Sequence, residues 1–67
     1  MWAVPENIWK QRFISRLTEL FTQRGLDAVL ALAIAEADAD ECYPRRRDGS
    51  PEQEADMLYR SQPVYCF

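Results

Sequence analysis

The sequence predicts an all-α fold: a helical hairpin, a short third helix and a C-terminal tail docked on them, paired into a homodimer. Three observations carry this. An apolar stripe at helical spacing runs from Trp9 to Phe21, Gly25-Leu26-Asp27 supplies a stop followed at once by a new start, and Ser50-Pro51-Glu52-Gln53 supplies another start. The 67 residues make a single domain. A chain of that size buries only about 60% of the surface it exposes when unfolded, so self-association is a natural source of extra stability. A hydrophobic content of 48% with eight aromatic residues is ample for a core.

The first helix is expected over about residues 5–24. Proline suits the first helical position, where its missing N–H would be unbonded anyway, and Glu6 complements the positive end of the helix dipole. Trp9, Phe13, Leu17, Leu20 and Phe21 then form one apolar stripe with Ile14 beside it. Arg24 places a cation at the end of the helix and Gly25 supplies a left-handed cap.

The second helix is expected over about residues 27–41, with Asp27 as N-cap. Leu26, Leu30, Ala33, Ile34 and Ala37 lie along one side, and Ala28, Ala31, Ala35 and Ala39 form a second stripe of small residues. Val29 and Leu32 make the first half apolar nearly all round, which calls for burial on more than one side. One neighbouring helix does not cover such an element, so a third element or a second chain must. The alanine stripe allows close backbone approach. The expected dimer surface is therefore Ala28, Ala31, Leu32, Ala35 and Ala39, paired antiparallel across a two-fold axis. The plainer alternative packs this stripe against the first or third helix of the same chain.

Pro44 ends the second helix by forcing Tyr43 out of helical geometry. A basic loop, Arg45-Arg46-Arg47, and an Asp-Gly turn follow. The third helix is expected over about residues 51–61, opened by a Ser50/Gln53 capping box and closed before Pro63. Ala55, Leu58 and Tyr59 face inward, with Met57 flanking. The tail Val64-Tyr65-Cys66-Phe67 is too apolar to stay in water, and is expected to dock on the helices or on a partner.

Charge is laid out in blocks within a net of −3. Residues 1–25 carry a net of +2, residues 26–43 a net of −5, the arginine loop +2 and the remainder −2. Such segregation favours pairing within or between chains and argues against a uniformly basic nucleic-acid face. The run Glu36-Ala37-Asp38-Ala39-Asp40-Glu41 sits at a helix C-terminus, where the dipole disfavours anions, and Glu36 and Asp40 repel at i, i+4. It reads either as a docking patch for a basic partner surface or as a helix end solvated or neutralised by the loop arginines or Arg60. A calcium loop starting at Asp38 would need glycine where Tyr43 stands, so no metal is expected. Trp2, Trp9, Tyr65 and Phe67 are the candidate aromatic anchors for a partner.

Chemistry of other kinds finds little support. The chain has no histidine, no Gly-rich phosphate loop and no nucleophile elbow, so neither an enzyme nor a cofactor is expected. Cys42 and Cys66 stand 24 residues apart without the spacing of zinc or redox motifs and read as small hydrophobes. The helix–Gly25–helix order invites a helix-turn-helix reading, but the second helix has no Arg, Lys, Asn or Gln and carries four acids. No signal-peptide pattern opens the sequence, and its longest apolar run, residues 28–35, is far short of a membrane span. A cytoplasmic protein with reduced thiols is therefore expected.

The expected function is that of a non-enzymatic protein-binding module that inhibits, anti-activates or adapts a larger protein, by class-level analogy with small acidic accessory proteins of phages and mobile elements. The second expectation is a small dimeric DNA-binding regulator, with Lys10, Arg12, Arg16 and the loop Arg45, Arg46 and Arg47 as its phosphate contacts.

Overall fold

In the computed structural model, residues 4–46 and 49–61 are described. They form three α-helices, α1 (Glu6–Gln23), α2 (Ala28–Cys42) and α3 (Pro51–Ser61), with a 3₁₀ turn Tyr43–Arg45 after α2. No strand occurs among the described residues.

Local chemistry sets each boundary. Pro5 caps α1 rather than opening it, and its carbonyl accepts the Trp9 N–H at 2.8 Å. At the far end the Leu26 N–H reaches back to the Phe21 carbonyl (3.1 Å) and the Gly25 N–H to the Thr22 carbonyl (3.0 Å). This is a Schellman closure, and Gly25 makes it possible with φ of 105°. Asp27 then caps α2, its Oδ2 accepting from the N–H groups of Val29 (3.0 Å) and Leu30 (3.3 Å). The capping box of α3 is reciprocal: the Gln53 N–H donates to Ser50 Oγ (3.2 Å), and the Ser50 N–H donates to Gln53 Oε1 (3.1 Å).

The order of contacts gives the topology. Lys10 meets Asp40 and Trp9 meets Tyr43, so α2 runs antiparallel to α1. Arg12 meets Glu52, Arg16 meets Asp56 and Phe21 meets Tyr59, so α3 runs parallel to α1. Both helices lean on α1 and meet each other little.

The core is a pairing of large side chains with small ones. Trp9, Phe13, Leu17 and Phe21 of α1 are buried together with Ala31, Ala35 and Ala39 of α2 and Ala55 of α3. Trp9 and Phe13 stack at 5.1 Å, and Tyr43 closes edge-on over Trp9 at 5.4 Å. A bulky stripe needs a shallow partner if backbones are to approach at core density.

Three residues assigned by sequence to a dimer seam, Ala31, Ala35 and Ala39, therefore serve inside the chain. They have no accessible surface left for a second copy. Ala28 and Leu32 of that set stay exposed. The larger side chains that sequence reasoning would hide behave oppositely, because α2 turns its small face to α1 and its large face to water.

Candidate functional site

The cations of α1 are held by the chain itself. Lys10 Nζ lies 2.7 Å from Glu6 Oε2 and 2.9 Å from Asp40 Oδ1. Arg12 forks onto Glu52, donating from Nε (2.9 Å) and Nη2 (2.8 Å) to the two carboxylate oxygens. Arg16 donates from Nε to Asp56 and from Nη1 to Glu19, both at 2.9 Å. Arg12 holds the Glu52 carboxyl below its usual range through this hydrogen bond. A depressed acid stabilises the fold above its unfolded pKa, and the benefit disappears as pH falls through its folded value. Of the phosphate contacts in a DNA-binding reading, Lys10, Arg12 and Arg16 would have to break these pairs.

Among the described residues, neither Arg45 nor Arg46 pairs with the acidic run, which the sequence had allowed. Arg46 folds over Tyr43, with Nη1 donating to the Tyr43 carbonyl (2.7 Å) and its guanidinium 3.9 Å from the ring centre. Arg45 and Arg60 form no ion pair among the described residues, and Arg47 lies outside them. The run is met instead by Lys10, at Asp40 alone.

Among the described residues, three of the five exposed large hydrophobic side chains lie on the outer side of α2. Val29 is 77% exposed, Leu30 50% and Leu32 43%, and Ala33 and Ala37 are exposed with them. Helical spacing places Val29, Ala33, Glu36 and Asp40 on one face, turned away from Ala31, Ala35 and Ala39. An apolar half thus continues into an acidic half, and no cation interrupts it. Glu36 and Glu41 are exposed and carry no ion pair among the described residues.

Asp38 differs from its neighbours. It turns toward the bundle, half-buried, and its Oδ2 is buried without a hydrogen-bond partner. Burial, and then the charge of Glu41, pushes its carboxyl above the ordinary value. A raised acid opposes the fold while ionised, and acidification relieves that opposition as the carboxyl takes a proton. Asp38→Asn should therefore stabilise at pH 7, by on the order of 1 kcal/mol once water screening of this partly exposed group is allowed for. Urea unfolding at pH 7 and again at about pH 3, where the gain should vanish, checks the sign. Burial, with Asp38, Glu41 and Glu54 nearby, likewise pushes up the Cys42 thiol, leaving it a poor nucleophile.

Of the aromatic anchors, Trp9 is corrected. It is 3% exposed in the core, so it holds the helices together rather than meeting a partner. Trp2, Tyr65 and Phe67 lie outside the described residues. Sequence reasoning missed Val29 and Leu30 as free surface; the signal lay in the bulk of the α1 stripe, which selects the small face of α2. Glu52 and Asp56 were missed as partners for Arg12 and Arg16, since residues 40 apart show no periodic relation.

No group of three or more potential metal ligands occurs among the described residues, and no helix there is long and apolar enough to cross a membrane. Comparison with family models, curated proteins and solved structures found no match to this chain.

Proposed function

We propose that this chain is a non-enzymatic protein-binding module that modulates a larger cytoplasmic protein, as an inhibitor, anti-activator or adaptor, and that the outer side of α2 is its contact surface. One observation carries the reading: an exposed side of α2 on which Val29, Leu30 and Leu32 run into Glu36 and Glu41, neither of which forms an ion pair among the described residues. An apolar anchor beside unpaired acids suits a partner that presents a hydrophobic seat next to basic side chains. The α1 cations Lys10, Arg12 and Arg16 are already engaged, and Glu36 and Glu41 carry no ion pair among the described residues. Self-pairing into a homodimer belongs to the same reading, along the Ala28 and Leu32 edge of α2, as does a C-terminal tail docked on the helices.

The charge test uses Glu36→Lys with Glu41→Lys, which touch no ion pair among the described residues and so spare the fold. Affinity-tagged chain should capture a stoichiometric protein partner from lysate of its native source. The double variant should lose roughly tenfold in affinity or more, mainly through slower association at low salt. Unchanged capture by a folded double variant would show that the acids are only a solvated helix end. Retention of the unaltered chain on duplex DNA at low salt would favour the DNA-binding alternative instead.

A further inference from the structure

The two halves of the exposed α2 face lie beside charges of opposite sign. Because α1 and α3 run parallel and α2 runs against them, the C-terminal ends of α1 and α3 flank the start of α2. Arg24 and Arg60 stand at that end, both exposed and without an ion pair among the described residues. Arg24 lies over the Tyr59 ring at 5.6 Å and donates from Nη1 to its hydroxyl (3.3 Å), contacts that leave its charge unmatched. Past the middle of α2 the sign reverses at Glu36 and Glu41, which are exposed and equally unpaired among the described residues. Asp27, at the basic end, is turned into its own helix as the cap of Val29 and Leu30.

We propose that two copies of the chain pair antiparallel along this face, Glu36 of each beside Arg24 of the other, and that the pairing covers the surface offered to the larger protein. This rests on the reading of α2 as the contact surface and adds the means of regulating it.

Charge chooses the direction. Parallel pairing would set Glu36 and Glu41 against the same residues of the second copy and align the two helix dipoles. Antiparallel pairing opposes the dipoles and carries each acidic half toward the other copy's arginine. The apolar half then sets the register. Ala28, Leu32 and Glu36 form one i, i+4 ridge, with Val29 and Ala33 in the row beside it. When Val29 lies opposite Leu32 of the second copy, Ala28 and Ala33 oppose each other and allow close approach. In that register Glu36 falls opposite position 25, next to Arg24. The two-fold axis makes each of these contacts twice.

One helix face per copy is a small interface, so the dissociation constant is expected on the order of 10–100 µM. Dilute chain is then single, with its α2 face open. Accumulated chain covers that face.

Sedimentation equilibrium of the full chain from about 5 to 500 µM should show the mass rise from one chain toward two. Glu36→Arg should raise the dissociation constant roughly tenfold, since the symmetry applies the change twice. Arg24→Glu should do the same, and the two changes combined should restore pairing. Circular dichroism checks that each variant is folded. Val29→Asp, at a side chain 77% exposed in the single chain, should abolish pairing without touching the core. A mass of one chain throughout that range, or a dimer indifferent to both Glu36→Arg and Val29→Asp, would overturn the inference. Capture of a larger protein at nanomolar chain concentration, where the chain is single, reads the underlying proposal separately. Capture through α2 by a chain that never dimerises removes the self-pairing alone, and dimerisation without capture removes the modulating role alone.

Discussion

Phe13→Ala should leave the chain largely unfolded at 25 °C. Phe13 has no accessible surface, stacks on Trp9 and belongs to the one buried cluster that all three helices share. Deleting a buried phenyl ring costs about 3–5 kcal/mol through lost transfer energy and the cavity left behind. A chain of this length has roughly 3–10 kcal/mol in all to lose, at about 0.05–0.15 kcal/mol per residue. The alanines that share the cluster have nothing to extend into the hole, so collapse refills it only in part. Circular dichroism should show most of the helical signal gone, or a urea transition at far lower concentration. A loss below about 1 kcal/mol would be incompatible with this core.

Ala35→Leu is the second large effect, and it separates packing within the chain from packing between chains. Ala35 is fully buried beneath the α1 stripe, so the added branch pushes α2 away at a cost of about 1–3 kcal/mol. Ala33→Leu, on the exposed side of the same helix, should change stability by less than about 0.5 kcal/mol. If Ala35 faced a second copy instead, the variant would stay folded and only its mass would fall. Urea unfolding at several protein concentrations, with light scattering alongside, tells these apart. Within one chain the loss is the same at every concentration; across a dimer it scales with concentration.

The two Ala→Leu changes also mark where sequence reasoning succeeded and stopped. The helices, the Asp27 cap, the Gly25 closure and the Ser50/Gln53 box were legible because each is a local hydrogen-bonding arrangement spanning a few residues. Which face of α2 turns inward was not. Its mean apolarity is nearly uniform around the first half, so periodicity alone gives no direction. The choice falls to the bulk of Trp9, Phe13, Leu17 and Phe21, and that information resides on another helix. Trp9 was misplaced for a related reason: tryptophan suits an interface and a core equally, and only the neighbouring Phe13 and Tyr43 decide between them. The partners of Arg12 and Arg16 depend on the parallel course of α3, which no short-range pattern encodes. The acidic run was legible as unusual, yet its division into Glu36 and Glu41 (unpaired among the described residues), paired Asp40 and inward Asp38 follows from helix rotation.

The lean of both outer helices on α1 has a consequence for how the chain assembles. The contacts of α1 with α2 close across the four-residue connection at residues 24–27, and short loops have a small entropic cost to close. Those of α1 with α3 span 40 residues at both Arg12–Glu52 and Arg16–Asp56. The antiparallel hairpin therefore has the kinetic advantage, and α3 joins afterwards. Until it does, the side of the aromatic stripe that Ala55 covers is open to water. In that interval Arg12 and Arg16 have yet to meet Glu52 and Asp56, and the open stripe is the surface most prone to unwanted association.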